Sequence, residues 1–459
     1  MLRRAIRLLA ATLLVLPAAS AQSVDTAQYL PVARSLLGAG MRTMNAYALL
    51  RELVDVAPHR LSGSDGQRKA SDLTAMMMTR LGFTGVRQEK VMVPHWVRGK
   101  TEEAVVAGPT PYRLNICALG GSVATPGEGI TAGVVEVHSF EELRSLGPRA
   151  KGNIVFFNRP MDPTRVVTFE AYGGAVDQRS RGAVESARAG GVAALVRSMT
   201  LRLDRVPHTG AMGYNDSLPK VPAAAVSSVD ADSLSALLSR TPGLKIHMTL
   251  DCRTLPDAPS ANVLGEITGT EKPDEIVVVS GHLDCWDKGQ GANDDGSGCV
   301  QAIEALRLLK SAGLQPKRTI RAVMFTNEEN GSRGGRDYPV EPARQHEHQV
   351  AVLESDRGSF APRGFTVEGD AAIVQKARRW SPLFALFGAA EFTAGSGGTD
   401  ISPTIKTGVP GFGLDVENQR YFDYHHSDND TIETVNPREL ELGAIAEALL
   451  CYLISEEGL

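Results

Sequence analysis

The chain has 459 residues, of which 42% are hydrophobic, and this length exceeds what one hydrophobic core usually serves, so we expect two domains. The formal net charge of -5 excludes the strongly basic surface of nucleic-acid-binding proteins, so nucleic acid is not an expected partner. Five scattered cysteines without a C-x-x-C motif exclude a disulfide-built fold and leave little support for a thiolate zinc site.

The first residues have the layout of a signal peptide. Three arginines, Arg3, Arg4 and Arg7, precede an apolar stretch over residues 8–16, and the small-residue site Ala19-Ser20-Ala21 follows. We therefore predict that residues 1–21 are a signal peptide and that the mature protein is secreted or periplasmic. The apolar stretch is shorter than the roughly 18 to 20 residues that a transmembrane helix needs, and no later segment offers them, so no membrane span is expected.

Residues 22–119 are predicted to form the first part of a domain that resumes near residue 252. From Gln28 to about Leu81 apolar residues recur at helical spacing, and Pro58 and the polar segment 62–66 divide this pattern into two helices. Two strands then follow, over residues 86–97 and 103–106.

The residue pattern of the sequence is different between about residue 120 and residue 251. Short β-branched runs alternate there with glycines and prolines, which is typical of a compact β-rich unit rather than of a long loop. We predict a separately folded insert over residues 120–251. Its expected strands lie at 133–137, 152–157, 193–196 and 221–226, and its expected helix at 184–189.

Residues 252–459 read as alternating strands and helices. Residues 275–280 are predicted to form a buried strand, residues 298–310 an apolar helix, and residues 319–326 a second buried strand. This alternation predicts an α/β fold with a mainly parallel or mixed sheet sandwiched by helices. In such sheets the active site lies beyond the carboxyl ends of the strands, so polar residues directly after apolar strands are the first candidates.

The first candidates are His282 and Asp284, which follow the apolar run 277–280. Period-two alternation places both side chains on one face, where the Asp284 carboxylate could orient the His282 imidazole as a metal ligand. A histidine at a strand end is, however, more often structural. The same holds for Asp294 and Asp295, because acidic residues at a helix N-terminus usually cap the helix and complement its dipole.

Two adjacent glutamates, Glu328 and Glu329, end the strand over residues 319–326. Neighbouring carboxylates at the end of a buried strand repel each other unless a cation lies nearby, so a functional role is favoured here. Asp356 follows another apolar strand, and His425 and His426 lie in a polar loop before the last helix. Together these residues supply the mixed nitrogen and oxygen ligands that zinc accepts.

These motifs, in this order, resemble those of the co-catalytic zinc exopeptidases, a family that includes bacterial leucyl aminopeptidases and glutamate carboxypeptidases. Matching segments outside the site are Pro94-His95-Trp96, residues 127–131, 207–210 and 281–287, so the resemblance covers essentially the whole mature chain. It implies the zinc exopeptidase fold, with the insert as a protease-associated domain between two parts of a peptidase domain. It also implies two Zn²⁺ ions, a short peptide substrate and a possible homodimer.

The resemblance also implies a role for each candidate residue. Asp294 would bridge the two ions, and it would be joined to Asp295 by a cis peptide bond. Glu328 would be the general base, and Asp284 would be a second catalytic residue. Of the two histidines, His426 is preferred to His425 because the family pattern places the ligand directly before Ser or Thr. The remaining metal ligands would be His282 and Asp356 at one ion, and Glu329 and His426 at the other.

Two other interpretations remain open at this point. An aminopeptidase of the same family would have the same metal site, because only the walls of the substrate pocket set the polarity of cleavage. A non-catalytic binding protein could keep the peptidase fold without its chemistry. Such a protein would usually have lost a ligand or the base, whereas all five ligand positions and Glu328 hold suitable residues here.

Overall fold

The computed structural model describes residues 26–108 and 111–459, so the predicted signal peptide at 1–21 lies outside the described residues. The chain opens with three helices, α1 (Thr26–Thr43), α2 (Asn45–Val56) and α3 (Asp65–Arg80), where the sequence pattern predicts two. Met44 separates the first two because it adopts a left-handed backbone conformation with φ 44°. The side chain of Ser64 caps α3 by accepting a hydrogen bond from the Gln67 N–H.

The strands fall into two sheets of eight strands each within the described residues. In chain order they are β1 (Thr84–Val97), β2 (Glu102–Ala107), β3 (Tyr112–Leu114), β4 (Ile116–Ala118), β5 (Ile130–Val137), β6 (Ile154–Phe157), β7 (Ala193–Arg197), β8 (Ala223–Val226), β9 (Lys245–Leu250), β10 (Arg253–Ile267), β11 (Lys272–His282), β12 (Arg318–Phe325), β13 (His348–Glu354), β14 (Pro362–Glu368), β15 (Glu391–Ala394) and β16 (Gly411–Val416).

Helices connect and cover both sheets. After α3 they are α4 (Phe140–Leu146), α5 (Thr168–Gly173), α6 (Asp177–Arg188), α7 (Ser228–Arg240), α8 (Ser297–Ser311), α9 (Arg333–Asp337), α10 (Ala371–Arg379), α11 (Ser381–Phe384), α12 (Ser402–Ile405), α13 (Tyr421–Tyr424) and α14 (Pro437–Glu457). Among these described helices, none combines the length and apolar character needed to cross a bilayer.

The first sheet has the strand order β1-β10-β12-β11-β13-β16-β14-β15. Its centre is parallel, because β11 pairs with β12 and β13, and β13 pairs with β16, all in parallel register. Alternate residues of β11 face opposite layers: Val277 and Val279 join the core with α8 and α14, whereas Ile276 and Val278 join a smaller cluster with Tyr338. The predicted sheet sandwiched by helices is therefore confirmed, with antiparallel strands added at its edges.

The second sheet runs in the order β3-β2-β9-β5-β6-β7-β8-β4 and has its own apolar core. The strands expected within residues 120–251 are present, and the expected helix is the second half of α6. Strands β2, β3 and β4 precede residue 120 and also belong to this sheet, because β2 pairs with β9 from Glu102 opposite Leu250 onward. The division of the chain into folding units at residues 120 and 251 stays a prediction.

Candidate metal centre

The parallel strands at the centre of the first sheet bring their carboxyl ends to one edge. There β11 ends at His282, β12 ends just before Glu328 and Glu329, and β13 ends two residues before Asp356. Asp294 reaches the same place from the turn that precedes α8. Residues far apart in sequence therefore converge because the parallel strands that carry them are neighbours.

Two groups of side chains share the Asp294 carboxylate. In the first group, Nε2 of His282 lies 3.3 Å from Oδ1 of Asp294 and 3.4 Å from Oδ1 of Asp356. In the second group, Nε2 of His426 lies 3.3 Å from Oδ2 of Asp294 and 2.9 Å from Oε2 of Glu329. Each oxygen of Asp294 thus faces a different histidine.

These groups suit two cations in both chemistry and burial. Oδ2 of Asp294, Oε1 of Glu329 and Oδ1 of Asp356 are buried without a hydrogen-bond partner among the described residues, which is costly for a carboxylate unless a cation neutralises it. Burial, reinforced by the Asp294 charge, raises the pKa of Glu329 well above its usual range. Imidazole and carboxylate ligands in such sets fit zinc, so the residues present fit the ions that the resemblance implies.

The ligands are held in place by hydrogen bonds from neighbouring loops. The Asp430 carboxylate accepts the N–H groups of Asn293 and Asp294, at 2.7 and 3.1 Å, and so fixes the backbone of the shared aspartate. Asp295 accepts the N–H of His282 at 3.0 Å. The peptide bond between Asp294 and Asp295 is cis, as the resemblance implied.

Asp284 holds a different part of the site from the one expected. Its carboxylate lies 3.9 Å from Nδ1 of His282, whereas its backbone carbonyl lies 2.9 Å from that nitrogen and is the hydrogen-bond partner. The carboxylate instead accepts the N–H groups of Glu328 and Glu329, at 3.0 and 3.4 Å. The prediction that this carboxylate orients His282 was therefore wrong, because the chain turns after His282 and brings the carbonyl to the ring.

Glu328 and Glu329 differ in exposure although they are adjacent. Glu329 is buried against His426, whereas Glu328 is partly exposed and its carboxyl group contributes to neither histidine group. Burial, followed by the charges of the nearby carboxylates led by Asp356, raises the pKa of Glu328 to about 8. A carboxyl group that borders the metal centre without serving as a ligand can exchange protons with a bound molecule.

The structure favours His426 over His425 as the ligand of the second group. Nε2 of His425 lies 3.9 Å from Oδ2 of Asp294, and no carboxylate in the part of the chain that the structure describes lies as close to this ring as Glu329 lies to His426, at 2.9 Å. The two imidazoles are stacked, with centroids 3.5 Å apart. His425 therefore packs against the ring of His426 and supports it.

Residues from the loop between β7 and β8 and from helix α6 complete the surroundings of His426, and the sequence did not reveal their roles. The N–H of Thr209 donates to the His426 carbonyl at 2.9 Å, and Nδ1 of His208 lies 2.7 Å from the His425 carbonyl. Nη1 of Arg179 lies 3.4 Å from Nδ1 of His426. The segment 207–210 matched a family motif without an assigned role, and Arg179 carries no local signal at all.

Comparison with known proteins places the chain in a family. The sequence pattern of Peptidase family M28 matches residues 262–450. Carboxypeptidase Q of Bos taurus is 38% identical over 94% of this chain and 90% of its own length. Carboxypeptidase Q of Homo sapiens is 37% identical over 91% of this chain and 86% of its own length. These matches span both sheets of the molecule.

Solved structures agree with this placement. A peptidase M28 precursor from Shewanella amazonensis has a TM-score of 0.89 and 32% identity, and the match covers 94% of this chain and 97% of that one. A zinc aminopeptidase from Bacillus subtilis shares the fold at a TM-score of 0.63 and 21% identity, with 88% of this chain and 94% of that chain covered. By sequence over nearly its whole length and by fold, the chain belongs to peptidase family M28.

Proposed function

We propose that the protein is a secreted di-zinc exopeptidase that hydrolyses dipeptides and other short peptides, of the carboxypeptidase or dipeptidase type. Membership of the family makes it a metallopeptidase, and the number of ions, the substrate and the secretion are the proposal. The observation that carries it is the shared Asp294 carboxylate, whose two oxygens face His282 and His426 separately.

In this proposal Asp294 would be the ligand shared by both ions. His282 and Asp356 would complete one ligand set, and Glu329 and His426 would complete the other. Zinc bound there would supply acidity to a water molecule and polarise the scissile carbonyl group. Asp284 holds the backbone of both glutamates, so that Glu329 stays at the metal centre while Glu328 stays at its open side.

Glu328 is the general base of the proposed reaction. Its carboxylate takes a proton from the attacking water and later gives a proton to the leaving amine, which requires a group that is not itself a ligand. The raised pKa suits the second half of this task, because a carboxyl group that titrates near neutral pH can both accept and donate a proton. Zinc binding would oppose this rise, since a cation favours the carboxylate form.

The polarity of cleavage is supported by likeness alone. Relatives that share more than a third of their residues with this chain are named carboxypeptidase Q, whereas the structure named an aminopeptidase shares 21%. An aminopeptidase of the same family is therefore the second candidate. Both activities would use the metal centre described above.

One experiment tests the proposal and separates the two candidates. The purified mature chain is assayed on free dipeptides, N-blocked dipeptides and aminoacyl reporter amides, before and after chelation and zinc restoration. Zinc-restored cleavage of free dipeptides without cleavage of the amides supports the proposal, and cleavage of the amides supports an aminopeptidase. Absence of all hydrolysis by protein that holds two zinc equivalents would refute both.

A further inference from the structure

A cavity of about 370 Å³ opens directly beside the metal centre. Asp356, one of the proposed ligands, lines it, together with Arg357, the loop 396–399, and Phe169 from helix α5. A side chain at Gly398 would overlap the carboxyl group of Glu354, so the loop can approach the wall only because this residue is glycine. The volume of the cavity and its position beside Asp356 leave room for one residue of a peptide whose carbonyl group lies at the metal centre.

Arg357 supplies a positive charge to this cavity, whose wall also carries the carboxylates of Glu354 and Asp356. Among the residues described as lining it, Arg357 is the one cation, and its side chain is 26% exposed. Nη1 of Arg357 donates to Asp415 at 2.6 Å, and the guanidinium carbon lies 5.6 Å from the ring centroid of Phe169. A guanidinium carries five N–H donors, so the pairing with Asp415 holds the group in place and leaves donors for a ligand.

Among the described residues, the two acidic residues of the wall make no hydrogen bond to Arg357, which bonds to Asp415 instead. The Glu354 carboxylate accepts the N–H groups of Asp400 and Ile401, at 3.4 and 3.1 Å, and so is turned towards the backbone of that loop. The Asp356 carboxylate faces His282 at 3.4 Å. An incoming carboxylate would therefore meet Arg357 as its principal partner.

We propose that Arg357 binds a carboxylate of the substrate, so that this cavity selects peptides with a negative charge one residue from the scissile bond. The inference rests on the proposed peptidase function. Asp356 and Arg357 line the same cavity, so a carboxylate held by Arg357 would lie next to the metal centre at which the scissile carbonyl group is placed. A guanidinium binds a carboxylate through two parallel hydrogen bonds, which fixes the orientation of the peptide.

The carboxylate could come from the free C-terminus or from an acidic side chain, and substrate pairs distinguish these sources. Ala-Ala and Ala-Ala-amide differ only in the terminal carboxylate, whereas Ala-Ala-amide and Ala-Asp-amide differ only in the side chain. Arg357→Gln should lower kcat/KM for the preferred charged peptide by about 10- to 100-fold, mainly through KM, and leave the uncharged amide unchanged. Arg181→Gln, at an exposed arginine of α6, is the matched control.

Binding is measured separately from turnover, by calorimetry in a Glu328→Gln background with and without Arg357→Gln. Loss of the preference for the charged peptide in the double variant supports the inference even where the parent enzyme hydrolyses nothing, and in that case only the proposed function fails. An Arg357→Gln protein with unchanged melting temperature and zinc content that keeps the full preference in both assays overturns it. If Arg357→Gln fails to fold, Arg357→Lys replaces it, and a smaller but measurable loss is expected because lysine keeps the charge without the planar fork.

Discussion

Replacement of Glu328 by glutamine separates catalysis from metal binding. The substitution keeps the size of the side chain and removes its ability to take a proton. The backbone of residue 328 is fixed by its N–H bond to Asp284 at 3.0 Å, which does not depend on the side chain. Loss of a general base typically costs about 10²- to 10⁴-fold in rate, or ~3 to 5 kcal/mol of transition-state stabilisation. We therefore expect kcat on a dipeptide to fall by this factor.

Metal content and stability should not fall with activity. Glu328 belongs to neither histidine group, so the variant should keep the zinc content of the parent protein. In the zinc-free protein, burial and neighbouring carboxylates such as Asp356 oppose ionisation of Glu328, so a neutral amide there should leave the melting temperature of that form unchanged or higher. Zinc analysis, thermal unfolding and steady-state kinetics measure the three quantities, with the exposed Glu271→Gln as control. A Glu328→Gln enzyme that retained more than about a tenth of the parent kcat would refute the assignment of this base.

Three further predictions concern the metal centre, the core and export. Asp294→Ala should lose both ions by zinc analysis. The control Asp216→Ala, at a position whose side chain is 96% exposed, should keep them. An Asp294→Ala variant that still bound two equivalents of zinc would disprove the bridging role. Glu447 is buried in α14, and neither of its carboxylate oxygens has a hydrogen-bond partner within residues 26–108 and 111–459. Burial raises its pKa well above 4.5, so the unfolded state loses the proton first and stability falls as pH rises above that value. Glu447→Met should therefore raise the free energy of unfolding by about 1 to 3 kcal/mol at pH 8 and by much less at pH 4 in denaturant titrations, and equal gains at both pH values would contradict the argument. The exported protein should begin at Gln22 by mass spectrometry, and a mature chain that kept Arg7 would contradict the predicted cleavage.

Elements with strong periodicity could be predicted from the sequence to within a few residues. The apolar helix expected at 298–310 is α8 (Ser297–Ser311), and the buried strand expected at 319–326 is β12 (Arg318–Phe325). The separation of α1 from α2 could not be predicted, because methionine favours helices and only the tertiary structure imposes the left-handed conformation of Met44. The membership of β2 in the second sheet depends on pairing with β9, a contact between distant segments that periodicity does not report.

The residues of the candidate site could be predicted from the sequence where they lie at the ends of strands. His282, Glu328 and Asp356 follow apolar runs, so the rule for open α/β sheets predicted that they meet. The orientation of Asp284 was not accessible, since alternation along a strand no longer applies once the chain leaves the strand after His282. Arg179 was missed for a different reason: it reaches His426 from helix α6, which packs on the second sheet, through a contact that leaves no trace in local sequence.

Without a cation, the buried carboxylates of the proposed metal centre destabilise the folded chain. Burial raises the pKa of Glu329 well above its usual range and also raises the pKa of Asp356. A folded chain would meet this cost by retaining protons at the site, whereas cations bound between the carboxylates would take the place of those protons. Binding of metal would therefore release these protons and, in the same step, neutralise the buried carboxylates. The position of Glu328 follows from this arrangement, because the one glutamate of the pair that stays outside the ligand groups is the one left free to move a proton.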